Sequence, residues 1–179
     1  MGGGAWASAW RVNHSTTITI RVANAADLDA IHAIEVASFG EPWRRESFRN
    51  YLLDGRARIV VAADAGGAIS GFAVLLVAAD EAEVANVAVS PAARRKGVGC
   101  ALTAHVLGVA REGGAHAVFL EVRESNTAAR AMYAGLGFSE VGNRRAYYRH
   151  PDENAVIMRW GVAVAWHRSQ PIGDAPRGL

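Results

Sequence analysis

The chain has 179 residues, 51% hydrophobic and 20% charged, which suits one globular domain with a substantial core and excludes a disordered polymer. A net charge of +2 is too small to argue for nucleic acid as a direct partner, and no apolar run reaches the roughly 18 residues of a membrane span. The single cysteine, Cys100, excludes an intramolecular disulfide, and the six histidines show no paired ligand spacing, so no metal is expected.

Residues 1–16, Gly-rich at the start, read as an N-terminal tail without a signal-peptide core, and a cytoplasmic protein is expected. TITIRVA (17–23) alternates as a strand does. In NAADLDAIHAIEVASF, Asn24 can cap a helix whose face carries Leu28, Ile31 and Ile34. Pro42 interrupts, and WRRESFRNYLL (43–53) predicts a second, shorter helix with Trp43, Phe48, Tyr51 and Leu52 inward. RIVVAAD (58–64), ISGFAVLLVAA (69–79) and EVANVAVS (83–90) predict three strands in a meander. A helix over 97–112 ends at Gly113 and Gly114, a strand follows over 116–123, and a helix over 126–136 has Gly137 placed as its C′ residue. FSEVGNRRAYY (138–148) and NAVIMRWGV (154–162) predict two closing strands, and residues 163–179 read as a C-terminal tail. The order β α α β β β α β α β β over residues 17–162 predicts an α/β fold of the α+β kind: a central, mostly antiparallel mixed sheet flanked by helices.

The most chemically suggestive stretch is VSPAARRKGVGCAL (89–102), a strand, a turn, a glycine-spaced basic loop and a helix start. Backbone N–H groups at a helix start lack helical partners and sit at the positive end of the macrodipole, and glycines let a phosphate come close. An ordinary helix start with solvated arginines is the other reading. A dinucleotide fingerprint fails because Leu102 stands at the third glycine position, and a P-loop fails because Lys96 precedes Gly97.

The pattern that fits is R-x-x-G-x-G at Arg94, Gly97 and Gly99, and it resembles the acetyl-CoA-binding motif of the GNAT superfamily of N-acyltransferases. DEAEVANVAVSP (80–91), FLEVRESNTAARAMYAGLGF (119–138), GNRRAYY (142–148) and the EPW at 41–43 resemble, more narrowly, the RimI-type ribosomal-protein-alanine N-acetyltransferases. The resemblance runs from about Ile18 to Trp160. It implies the GNAT fold, with acetyl-CoA as co-substrate. The coenzyme's diphosphate would lie on Arg94, Arg95, Lys96, Gly97, Val98, Gly99 and Cys100, its pantetheine arm along Val87, Ala88 and Val89, and Asn126 against it. The acceptor it implies is the N-terminal alanine of a small-subunit ribosomal protein or another protein N-terminus.

Acetyl transfer needs a neutral amine, a polarised thioester carbonyl and a stabilised leaving thiolate. Glu121 interrupts the apolar VFLEV strand, where a carboxylate gains base strength if buried; it can equally point to solvent. The resemblance makes it the base that deprotonates the amine. Glu81 is a reserve base or a surface acid. Tyr133 shares a helical face with Ala129 and Leu136 and reads as a core aromatic, whereas the resemblance places its hydroxyl at the departing sulfur. Asn126 can also be the N-cap of its helix. Trp43 reads as a core residue or an acceptor contact, and Arg145, Tyr147 and Tyr148 as an acceptor wall or an edge strand. A lysine or small amine as acceptor, and a non-catalytic acyl-CoA sensor, are the competing functions.

Overall fold

The computed structural model describes residues 8–12, 16–149 and 151–161. Eight strands form one sheet: β1 (Ser8–Val12), β2 (Thr16–Val22), β3 (Ala57–Ala63), β4 (Ile69–Ala78), β5 (Glu81–Val89), β6 (Ala117–Arg123), β7 (Ser139–Tyr148) and β8 (Glu153–Gly161). The helices are α1 (Leu28–Ser38), α2 (Arg45–Leu53), α3 (Val98–Glu112) and α4 (Thr127–Gly135). The strand order is β1-β2-β3-β4-β5-β6-β8-β7. Every neighbouring pair is antiparallel except β5 and β6, which the α3 crossover joins in parallel.

The expected meander over β3, β4 and β5 is present, and each expected helix and strand occurs within a few residues of its expected bounds. One correction concerns the segment read as an N-terminal tail. Ser8–Val12 is a strand, paired antiparallel with β2 from Ser8↔Ile20 to Val12↔Thr16. The glycines at positions 2–4 suggested a tail, but the unpaired edge of β2 offers a ladder that the residues after them can take up. The C-terminal tail lies outside the described residues.

Strand β3 shows why the sheet sits at the centre. After Arg58, its run IVVAA (59–63) is apolar without a break, as a strand buried on both faces requires. Val60 and Ala62 join Leu102, Val106 and Leu120 in one core on the α3 and α4 side, whereas Ile59 and Val61 join Ile31, Trp43, Phe48 and Phe72 in a second core under α1 and α2. Trp43 and Phe48 are 1% and 0% exposed. Each such side chain contributes roughly 1.5–3 kcal/mol by leaving water.

The ends of the elements follow their residues. Asn24 accepts from Ala26 N–H at 2.8 Å while the Asp27 carboxylate accepts from Asn24 N–H at 2.8 Å, a capping box that starts a 3₁₀ turn leading into α1. Arg21 grips the same carboxylate with both guanidinium nitrogens, at 2.7 and 2.8 Å. At the end of α4, Gly137 (φ +93°) lets Phe138 N–H reach Tyr133 C=O and Gly137 N–H reach Ala134 C=O, both at 3.0 Å. That is a Schellman close with glycine at the expected C′ position.

One polar link crosses the second core. Glu35, 0% exposed on α1, accepts from Trp43 N–H at 2.9 Å and from the Asn86 side-chain amide at 3.1 Å. Burial pushes its carboxyl up to about 7, against those two hydrogen bonds. The sign of the linkage follows. Below about pH 4.5 both states hold the proton; as pH rises the unfolded chain releases it first, so stability falls until about pH 7 and is then level. We expect Glu35→Gln to remove this share of the slope, at most about 3 kcal/mol. Chemical denaturation of both proteins at pH 5 and pH 8 checks it: the two midpoints of the variant should lie closer together than those of the unsubstituted chain.

Candidate active site

Strands β5 and β6 pair only at Glu81↔Ala117, Ala82↔Val118 and Glu83↔Phe119. Beyond those residues β5 stays on β4 as far as Val89, and β6 stays on β8 as far as Arg123, so the two strands part into a wedge. A bulge in β5 contributes to this. Asn86 pairs with Val74 and Val84 with Leu75, which leaves Ala85 as an extra residue. The extra residue shifts the alternation: Ala82 and Val84 face the first core, and after the bulge Val87 and Val89 do so, while Ala85 and Ala88 join the second. The link from Asn86 to Glu35 holds the bulge from the α1 side.

At the open end of the wedge, the loop after β5 turns into α3. Arg95 (φ +61°) and Gly97 (φ +89°) are both left-handed, and Gly97 is the N-cap, with no side chain capping the helix. The first-turn donors of Val98, Gly99 and Cys100 therefore stand at a bare helix start beside exposed Arg95 and Lys96. Val98 is a core residue, 3% exposed, and roots the loop. Gly99 packs near Met132 of α4 and Val89 of β5: a Cβ there would lie 3.5 Å from the Met132 sulfur. Arg94, expected at the diphosphate, also braces the loop. Its guanidinium donates to Val89 C=O at 3.1 Å and to Ser38 Oγ at 3.1 Å, tying the end of β5 to the end of α1. Cys100 is exposed at the same helix start.

Two chemically different faces flank the wedge. On the α4 side, Tyr133 is 2% exposed and joins the first core, its ring 5.7 Å from that of Phe138; burial raises its phenol above the ordinary value. Asn126 is the N-cap of α4, accepting from Ala129 N–H at 3.1 Å.

On the opposite side, Val118, Leu120 and Val122 of β6 belong to the first core, so Glu121, between them in the alternation, points the other way. Its carboxylate accepts from Arg144 Nε at 2.9 Å and from the Tyr147 hydroxyl. Tyr148, 3% exposed, donates its hydroxyl to Glu121 C=O at 3.4 Å and has the Arg123 guanidinium 4.3 Å from its ring centroid. Glu83 of β5 lies within electrostatic reach of Glu121, Arg144 and Tyr147. Burial first, then the charge of Glu121, pushes Glu83 up to about 7, with Arg144 opposing.

Several expectations change here. Trp43, read as a core residue or an acceptor contact, is buried with its ring tilted against those of Phe48 and Tyr51, 5.5 Å from each. Among the arginines of the RRAYY stretch, Arg144 reaches Glu121, whereas Arg145 is exposed. Simple alternation would have put Arg145 and Tyr147 on one face; a register shift between Arg144 and Tyr148, with Ala146 at φ +49°, brings Arg144 and Tyr147 together on Glu121 instead. The carboxylate coupled to Glu121 is Glu83, two residues after the expected reserve Glu81. Its signal was in the text, a second acid on the apolar EVANVAV strand.

An opened parallel strand pair running into a glycine-capped helix start is the shape that the loop motif foretold. Residues 28–138 match the Acetyltransferase (GNAT) family. The chain belongs to that family. It is 37% identical over 148 residues to the [ribosomal protein bS18]-alanine N-acetyltransferase of Escherichia coli K12, covering 82% of this chain and 99% of that protein. It is 34% identical to the N-alpha-acetyltransferase RimI of Mycobacterium tuberculosis, covering 79% and 91%. The crystal structure of the Escherichia coli ribosomal-protein-S18-alanine N-acetyltransferase superposes with a TM-score of 0.75, covering 86% of this chain and 99% of that one. The chain is accordingly an N-acetyltransferase, of a family that draws its acetyl group from acetyl-CoA.

Gly97 gives a direct test of the loop's geometry. Gly97→Ala should cost about 1–2 kcal/mol, because a Cβ disfavours the left-handed region, and Gly97→Asn should cost less. Equilibrium denaturation of the three proteins measures both differences.

Proposed function

We propose that this chain acetylates the α-amine of a protein N-terminus, with the N-terminal alanine of a small-subunit ribosomal protein as its substrate, by direct attack in a complex holding both substrates. The observation that carries the reading is the wedge between β5 and β6, with Glu121 on one face and Tyr133 on the other. The acceptor follows from the relatives, the Escherichia coli protein being named for the alanine of bS18.

The exposed edge of β5 at Val87, Ala88 and Val89 suits an extended pantetheine arm, which can add to it as a further strand would. The bare α3 start from Gly97 to Cys100, with Arg95 and Lys96 beside it, suits a diphosphate. Arg94 supports that loop from behind through Val89 and Ser38. Asn126 fixes the start of α4 and so the placement of Tyr133. Bound acetyl-CoA supplies the thioester whose carbonyl the amine attacks.

The protein's own groups then divide the work. Glu121, paired with Arg144, faces the side open to an acceptor and meets its ammonium. Tyr147 orients that carboxylate from β7. The buried phenol of Tyr133 faces the thioester side, where its O–H stabilises the departing sulfur by a hydrogen bond. Full proton transfer to a thiolate is uphill for a phenol whose pKa burial has raised. Much of the rate comes from holding amine and thioester in contact. No described helix is long and apolar enough to cross a membrane, and the proposed place of work is the cytoplasm, beside the ribosomal acceptor.

Mass spectrometry on one mixture tests the acceptor. It contains the protein, acetyl-CoA, an alanine-starting basic peptide, and the same peptide N-blocked with an internal lysine. Acetylation confined to the free alanine is expected; acetylation of the lysine, or of neither peptide, overturns the assignment. The roles divide by kinetics. Glu121→Gln and Tyr133→Phe should each lower kcat by about 10²-fold while leaving acetyl-CoA affinity within a factor of about two. Gly97→Asp should instead weaken acetyl-CoA binding at least about tenfold, through charge and bulk at the diphosphate. Calorimetric titration with acetyl-CoA separates the two classes.

A further inference from the structure

The part of β7 that meets Glu121 owes its shape to an irregular stretch. Between the pairs Arg144↔Ala155 and Tyr148↔Glu153, Arg145, Ala146 and Tyr147 of β7 stand opposite one residue of β8, Asn154. Regular alternation is lost there, and Arg144 and Tyr147 both reach the Glu121 carboxylate. The middle of the stretch is strained. Ala146 has φ +49°, a region that a Cβ disfavours. A residue keeps such a conformation only when its neighbours hold it.

Asn154 supplies that hold. Its side-chain oxygen accepts from Ala146 N–H at 3.1 Å, and its amide nitrogen donates to Glu124 Oε2 at 3.1 Å. A backbone N–H only donates and a carboxylate only accepts, so the two partners fix which way the amide points. Asn154 C=O also accepts from Glu124 N–H, at 3.1 Å. Glu124 opens the turn from β6 to α4, and the neighbouring Glu153 grips the same turn. Its carboxylate accepts from Ser125 N–H and, at 3.0 Å, from Arg123. Asn126, next along, caps the helix that carries Tyr133. The first residues of β8 therefore tie the β7 bulge to the start of α4.

We propose that Asn154 is a positioning residue for acetyl transfer: it holds the Ala146 bulge, and through that bulge it places Arg144 and Tyr147 on Glu121. The proposal rests on the acceptor-side role of Glu121 in the reading above. Asn154 acts through these neighbours and not on a substrate. Losing its side chain frees the bulge, so the partners of Glu121 move and the amine is held less well. The β5 edge and the α3 start lie on other elements, so acetyl-CoA binding is kept. Glu153 and the backbone bond to Glu124 still hold the turn, so Tyr133 keeps its place.

Kinetics are read with whichever amine of a panel the unsubstituted enzyme acetylates fastest. The panel holds alanine-, serine- and methionine-starting peptides, an N-blocked lysine peptide and spermidine, so a wrong acceptor assignment shows as a different winner. Asn154→Ala should lower kcat/KM about tenfold, mostly through KM for the amine, with acetyl-CoA affinity kept within a factor of about two. Arg144→Ala should cost a similar factor. The double variant should lose no more than about threefold beyond Arg144→Ala, since both changes remove one interaction. Two rescues are expected. Asn154→Asp with Glu124→Gln exchanges donor and acceptor between the two positions, keeps an oxygen for Ala146 N–H, and should restore KM. Ala146→Gly, which takes a positive φ without strain, should recover part of the loss in Asn154→Ala. NMR of the free protein reads the pairing without any acceptor. The Arg144 Nε–H signal, assigned by its absence from Arg144→Lys, should exchange with water much faster in Asn154→Ala. Thermal midpoints check that each variant is folded. An unchanged signal in Asn154→Ala overturns the proposal, as does a double variant whose losses multiply. Faster exchange with kcat/KM within about threefold for every amine overturns the acceptor-side placement of Glu121, and this proposal with it.

Discussion

The site depends on one interruption in the sheet. Parallel strands β5 and β6 hold together for three residue pairs and then separate, and everything chemical in the molecule is arranged around that separation. Backbone donors and acceptors along such an edge need partners, and a sheet that leaves them open at its centre is built to receive an extended ligand. The extra residue at Ala85 helps by shifting the alternation of β5. A bulge weakens its own ladder, so it needs support from outside. That support comes from Glu35 on α1, whose buried carboxylate joins Asn86 beside the bulge to the backbone of Trp43 before α2. The polar link is costly by burial and is retained where a merely apolar core would leave the bulge unanchored.

The wedge also sorts the chemistry by face. Tyr133 lies on the α4 side with the first core, whereas Glu121 and Glu83 lie on the α1 and α2 side. A direct transfer is served by this separation, because the attacking nitrogen and the leaving sulfur are different substituents of one tetrahedral carbon and need different partners. Strand alternation supplies it cheaply: adjacent residues of β6 point to opposite faces, so Leu120 builds the core that carries Tyr133 while Glu121 faces the α1 and α2 side.

Most of this was legible in the sequence where the pattern was regular. The apolar runs of β3 and β4, the Asn24 start of α1 and the Gly137 close of α4 follow from period, capping and turn chemistry, and the structure has them where those rules put them. The GxG loop was legible for the same reason, since left-handed Gly97 leaves a trace in residue type. Irregularity left no such trace. Nothing in EVANVAV announces an extra residue at Ala85, and nothing in RRAYY announces that Ala146, an alanine, adopts a positive φ. The irregularity around Ala146 determines which arginine reaches Glu121, and that arginine is Arg144. Ser8–Val12 escaped because its pairing depends on β2, a tertiary fact that the Gly-rich start of the chain conceals. The bracing contacts of Arg94 to Val89 and Ser38 were not legible either, because they depend on the end of α1 lying beside the end of β5, a tertiary fact.

The electrostatics also bear on the choice of acceptor. An α-amine has a reference pKa of about 7.7–8.0 and a lysine side chain one of about 10.4, so neutralising the lysine costs roughly 3.4 kcal/mol more. A carboxyl raised to about 7 lies within about one unit of the α-amine and more than three below the lysine. Proton transfer from an N-terminal ammonium to such a group is nearly balanced, whereas transfer from a lysine is steeply uphill. Binding energy spent on orientation can offset the first difference but must work much harder against the second. The raised carboxyl of Glu83 beside Glu121 thus gives the α1 and α2 face of the wedge a proton affinity closer to that of an α-amine than to that of a lysine side chain.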